Sequence, residues 1–214
     1  MFKGKFLVLS LIAAALLCWQ MMPASVDTAN SGIVNPCSST ASSAGGCYVI
    51  CHQGDGDRLE DVGATITVYV KDNLGAPIPN VPGADFWLIG CNDQLCLCGG
   101  SGSINADSAS NSAGRTTISG DLAGGGCDDG VQVVVQGTVI ADPLDWTLPL
   151  CLPIIVRSPD YNCDLVVDII DFAVFGADFP SPPKPYNPCS DFNCDGVIDI
   201  IDFAVFGQHF GHVC

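Results

Sequence analysis

From Asp191 to Gly207 the chain reads DFNCDGVIDIIDFAVFG, and from Asp160 to Gly176 it reads DYNCDLVVDIIDFAVFG. The phrase is written twice, 31 residues apart. Each copy opens with oxygen-bearing side chains at alternating positions and closes with an apolar run. In a tight loop, alternating side chains turn toward one centre, and the apolar run that follows has helical spacing.

Counted from its first Asp, the second copy places Asp191, Asn193, Asp195, Val197, Asp199 and Asp202 at positions 1, 3, 5, 7, 9 and 12. The first copy places Asp160, Asn162, Asp164, Val166, Asp168 and Asp171 there. This is the EF-hand calcium-loop pattern, which offers a hard cation six to eight oxygens. Position 7 gives a backbone carbonyl, so Val166 and Val197 can be apolar. Position 6 turns sharply and calls for Gly. The second copy has Gly196 there, but the first has Leu165, which predicts a weaker or distorted first site. The position 8 residues Val167 and Ile198 are expected to pair in a short β bridge between the loops. Two bound Ca²⁺ are therefore expected.

Position 12 is Asp in both copies, and there is little room for a helix before either loop. Residues Ser158 to Cys214 thus resemble a dockerin, a module of two loop-helix calcium half-motifs. The resemblance implies a small α-helical module that docks a cohesin-like partner, with Ile169, Ile170, Ile200 and Ile201 at the family's partner-selecting positions. Many dockerins carry Ser or Thr there, so a standard cohesin is not implied. Phe172, Phe175 and Phe179, repeated as Phe203, Phe206 and Phe210, form helical stripes expected to pack together as the module's core.

Upstream, residues 1–24 have the basic start, apolar run and small residues of a secretory signal peptide. That run is too short to span a bilayer, so no stable membrane span is expected in the mature chain. Residues 25–45 read as a flexible N-terminus. In residues 46–157, ATITVYVKD (64–72) alternates with a period of two, and ADFWLIGC, GRTTISG, GVQVVVQGTVI and WTLPLCLPIIV supply further strands between Gly-rich turns. The fold class expected is mainly β: an antiparallel β-sandwich, then the helical module at 158–214. The phrases ITVYVKDNLGAPIPNV and DSASNSAGRTTISG resemble bacterial immunoglobulin-like domains of surface and secreted proteins.

The chain has 13 Cys; without Cys18 twelve remain, six disulfides in an oxidising compartment. Cys163, Cys189, Cys194 and Cys214 are expected to pair within the tail. The ending HFGHVC collects His209, His212 and Cys214, either a transition-metal set or surface histidines beside a disulfide. The net charge is −16, and of 23 acidic residues only Glu60 is Glu. With seven Lys and Arg, nucleic acid binding is disfavoured. No nucleophile-base pair stands out, so no enzyme is expected. The reading is a secreted or cell-surface adaptor. A self-associating structural subunit and a carbohydrate-binding module are the alternatives; the last would need exposed aromatics among Tyr69, Phe86, Trp87 and Trp146.

Overall fold

A computed structural model describes residues 32–52, 56–98 and 104–214. The expected signal peptide lies outside them. Among the described residues there are ten strands: β1 (Thr40–Ser42), β2 (Gly46–Val49), β3 (Ile66–Tyr69), β4 (Phe86–Gly90), β5 (Leu95–Leu97), β6 (Arg115–Ile118), β7 (Gly124–Gly126), β8 (Val131–Val135), β9 (Thr138–Val139) and β10 (Ile154–Arg157). Two helices follow, α1 (Ile169–Asp178) and α2 (Ile200–His209).

The period-two reading of residues 64–72 survives: Ile66, Val68 and Val70 are fully buried. β3 pairs antiparallel with β1 on one side and β6 on the other. β4 pairs with β8, which turns through Gln136 and Gly137 into β9. Both turn residues have positive φ, as a tight hairpin requires. One apolar cluster unites these sheets, with Tyr48, Phe86, Leu88, Ile118, Val133 and Ile154 in it. Part of the stretch expected to be flexible belongs to this body. Asn35 and Ser39 are buried, and β1 lies in the expected flexible segment.

The expected fold class is not what forms. An immunoglobulin-like sandwich gathers its strands in two antiparallel sheets. Here they divide into four sheets of two or three strands, ordered β1-β3-β6, β10-β2, β4-β8-β9 and β5-β7. One of them, β10 with β2, is parallel. Strands stay short because Pro77, Pro79, Pro82, Pro149 and Pro153 cannot donate to a ladder. Nor is a small α-helical module evident at the C-terminus. The described residues are mainly β, and the two helices among them have ten residues each. Helical period in the sequence is real but brief. Pro180 follows the C-cap of α1, and Gly211, at φ 89°, follows α2.

The tail is also not self-contained. Among the described residues five disulfides form: Cys91–Cys151 within the β region, and Cys47–Cys194, Cys96–Cys163, Cys98–Cys214 and Cys127–Cys189. The last four each join the β region to the tail at 158–214, which overturns the expected pairing within the tail. The calcium-like half-motifs are individually too small to bury a core, so they lean on the larger one. The expected Val167–Ile198 bridge is absent as well. Val167 instead hydrogen-bonds with Gly211 and His212, and Ile198 with Ser181. Each position 8 thus pairs with the segment trailing the other copy's helix.

Candidate metal centre

The two loops have nearly the same hydrogen bonds, atom for atom. At position 12, Asp171 Oδ1 accepts from Tyr161 N at 2.9 Å, and Oδ2 from Asp168 N at 2.9 Å. In the second copy Asp202 Oδ1 accepts from Phe192 N at 2.7 Å, and Oδ2 from Asp199 N at 2.9 Å. At position 1, Asp160 Oδ2 accepts from Leu165 N at 3.1 Å, and Asp191 Oδ2 from Gly196 N at 2.8 Å. Positions 3 and 5 clasp each other: Asn162 Nδ2 donates to Asp164 Oδ2, and Asn193 Nδ2 to Asp195 Oδ2, both at 2.9 Å. Position 9 caps each helix, with Asp168 accepting from Ile170 N and Asp199 from Ile201 N. Asp168 with Asp171, and Asp199 with Asp202, complete capping boxes.

Leu165 has φ 68° and Gly196 φ 88°. The first loop therefore makes the same turn as the second, but with a branched side chain in the left-handed region. The position 4 residues Cys163 and Cys194 have φ 60° and 56°.

The first loop brings one carboxylate oxygen each of Asp160, Asp164 and Asp171 within 4.8 Å of one another. Asp160 is fully buried, and its Oδ1 has no hydrogen-bond partner. A buried carboxylate oxygen without a donor is costly, and a cation would satisfy it. Burial pushes the Asp160 carboxyl above its ordinary value, and Asp171 adds to this, against the pull of His52. Burial raises Asp202 too, opposed by the backbone N–H groups of Asp199, Phe192 and Asn193. Both are groups that a bound cation would return to the charged form.

The surroundings of the two loops differ. The first is seated on the β region. Gly126 N donates to the Asp160 carbonyl at 2.9 Å, and a Cβ at Gly125 would collide with Asp160 Oδ2. His52, wholly buried, has Nε2 3.2 Å from Asp160 Oδ2, but too poorly aligned for a hydrogen bond. Sequence reasoning missed both neighbours, which lie far from the loop in the chain. In the second loop, Tyr186 Oη donates to Asp191 Oδ2 at 2.7 Å. Its segment, from Pro180 to Pro188, is pinned by the Ser181–Ile198 pairing.

Ile169, Ile170, Ile200 and Ile201 are all more than half exposed. The Phe stripes divide. Phe175 and Phe206 are buried and stack at 5.4 Å, whereas Phe172, Phe203 and Phe210 are exposed. With Ile169 and Gly207 they line an open groove of about 280 Å³. Of the aromatics considered for a carbohydrate surface, Phe86 is buried, leaving Tyr69 and Trp146 exposed on separate segments. No helix among the described residues is long and apolar enough to cross a membrane. Five disulfides are compatible with an extracellular location. No protein-family model and no curated protein matches this chain.

Proposed function

We propose that this chain is a secreted, non-catalytic attachment protein whose two repeated loops each bind Ca²⁺. The observation that carries the reading is the buried Asp160 Oδ1, without a donor, in a loop where three carboxylates converge. The ligands are Asp160, Asn162, Asp164, Val166, Asp168 and Asp171 in the first loop. In the second they are Asp191, Asn193, Asp195, Val197, Asp199 and Asp202. Hard oxygen donors and no thiolate in either set favour Ca²⁺ over a softer ion. Two ions would offset four of the net −16 charges.

Attachment would run through the apolar face that the loops frame. Ile169 and Ile170, and Ile200 and Ile201, are the first two residues of α1 and α2, each pair following a position 9 ligand. A cation at position 9 would fix the cap and with it the angle at which these side chains are presented. The resemblance to dockerins supports a protein as the occupant, and a calcium-ordered apolar face suits one.

The test is calorimetric Ca²⁺ titration of the whole oxidised chain after chelation, since the loops are bridged to the β region. Two binding events are expected, with Asp160→Asn removing one and Asp191→Asn the other. Absence of binding in the parent chain would overturn the reading.

A further inference from the structure

We propose that Cys51, His209 and His212 form a binding site for a single Zn²⁺, separate from the two oxygen-lined loops. The three residues come from distant places. Cys51 lies two residues beyond β2, His209 is the last residue of α2, and His212 lies just beyond the turn. One ligand atom from each falls within 4.8 Å of the others.

The main chain builds this convergence. Gly211, at φ 89°, reverses the chain between the two histidines. His212 N donates to the His209 carbonyl at 3.1 Å, Gly211 N to the Val167 carbonyl at 2.8 Å, and Val167 N to the His212 carbonyl at 2.9 Å. The two imidazoles are therefore held by backbone bonds. Their centroids lie 5.6 Å apart with the planes at 78°, so they stand edge to face. That arrangement lets two ring nitrogens aim at one point.

The distances suit zinc. With Zn–S about 2.3 Å and Zn–N about 2.0–2.1 Å, tetrahedral geometry sets S and N about 3.5 Å apart. Cys51 Sγ and His212 Nδ1 are 3.4 Å apart. The donor set of one sulfur and two imidazoles is borderline-soft, unlike the all-oxygen loops, and selects Zn²⁺ over Ca²⁺. Cys51 is fully buried and His209 nearly so. Cys51 also belongs to the apolar cluster of Val167, Phe175, Phe192, Ile198 and Phe206. A low-dielectric surround strengthens a metal–thiolate bond.

A neighbouring group does not compete. His52 faces Cys98 and Cys214, but those two sulfurs are bonded to each other. Three protein ligands leave one coordination position for water or an incoming group. The site would clamp the end of α2 to the β2 segment, a join that no described disulfide makes.

The experiment is Co²⁺ titration of the whole oxidised chain in saturating Ca²⁺, read by absorption, followed by Zn²⁺ displacement. One equivalent of Co²⁺ should give a thiolate-to-cobalt charge-transfer band that Zn²⁺ abolishes. Cys51→Ser should lose the band. His212→Gln should weaken Zn²⁺ binding by more than about a hundredfold, beyond the range of outer-shell losses. Should Cys51→Ser fail to fold, alkylation of the parent chain decides the matter: bound Zn²⁺ should protect Cys51 from a thiol reagent. A cobalt spectrum without the charge-transfer band, or alkylation of Cys51 at the same rate with and without Zn²⁺, would overturn the proposal. Either result would leave the calcium titration untouched, because that is read at other residues.

Discussion

Replacing Gly196 by Ala isolates the cost of the position 6 turn. A Cβ built there meets nothing within 4 Å, so no collision enters the balance. What remains is the backbone at φ 88°. An L-residue in the left-handed region costs about 1–2 kcal/mol. Ala also stiffens the unfolded chain, which returns about 0.4–1 kcal/mol. The net loss expected is about 1 kcal/mol. For a chain of this size that lowers the melting temperature by about 2–4 °C.

Leu165 lets the same term be measured with the opposite sign. It already sits at φ 68°. Leu165→Asn should stabilise the chain, because Asn tolerates the left-handed region and keeps a side chain. Gly196→Asn should cost less than Gly196→Ala. The assay is urea unfolding of the oxidised chain in saturating Ca²⁺, with the slope checked for constancy across variants. Equal stability of the parent and Gly196→Ala, or equal loss in Gly196→Ala and Gly196→Asn, would refute the assignment of strain to this turn. Strain carries into Ca²⁺ affinity only so far as the unliganded loop relaxes. The calorimetric difference between the two sites therefore reports how rigid the disulfides make them.

Three further outcomes follow from named contacts. Gly125→Ala should abolish Ca²⁺ binding at the first loop and spare the second, because the new Cβ displaces Asp160; calorimetry showing both events intact would contradict the seating of that loop on β7. Asp160 and Asp202 have raised carboxyl pKa values, so the folded chain binds more protons than the unfolded one. Without Ca²⁺, stability contributed through these two should fall as pH rises from about 3.8 through their raised values, and excess Ca²⁺ should remove the fall, as thermal unfolding in matched chelated and loaded samples would register. Removing the Cys47–Cys194 bridge by paired Ser substitution frees two residues 147 apart, and because the other bridges already shorten that loop the chain-entropy account sets about 5 kcal/mol as the upper limit of the loss in denaturant unfolding.

The sequence made the loops legible because ligand spacing is local. Each oxygen at positions 1, 3, 5, 9 and 12 can be read within twelve residues, and the left-handed turn at position 6 within one. The strand at Ile66–Tyr69 was legible for the same reason, since its alternation is a property of the segment itself. Pairing was not. Eight and more cysteines allow many connectivities, and nothing local joins Cys163 to Cys96 or Cys194 to Cys47. Division into four small sheets depends on which short strands find partners. The helical stripes misled in a simple way. Phe172, Phe175 and Phe179 have the right period, but α1 meets α2 along so short a length that only Phe175 and Phe206 are enclosed. Cys51 had no local signal at all, being 158 residues before His209.

The position 4 cysteines show how the loops can be bridged without losing a ligand. Before the helix, positions 1, 3, 5, 7 and 9 carry the oxygens. Position 4 falls between two of them, and the positive φ of Cys163 and Cys194 turns the sulfur to the β region instead of the centre of the loop. Each loop is thereby anchored at its middle, while its two ends are held by the position 12 carboxylate taking backbone N–H groups from positions 2 and 9. A loop fixed at three points needs little help from a cation to keep its path. The free energy of Ca²⁺ binding would then be spent chiefly on converging charge and on the unsatisfied Asp160 Oδ1, and less on folding the tail. Reduction of the disulfides should shift that balance: the same ions would bind more weakly and with more helix gained, because ordering of the loops would then fall to the metal alone.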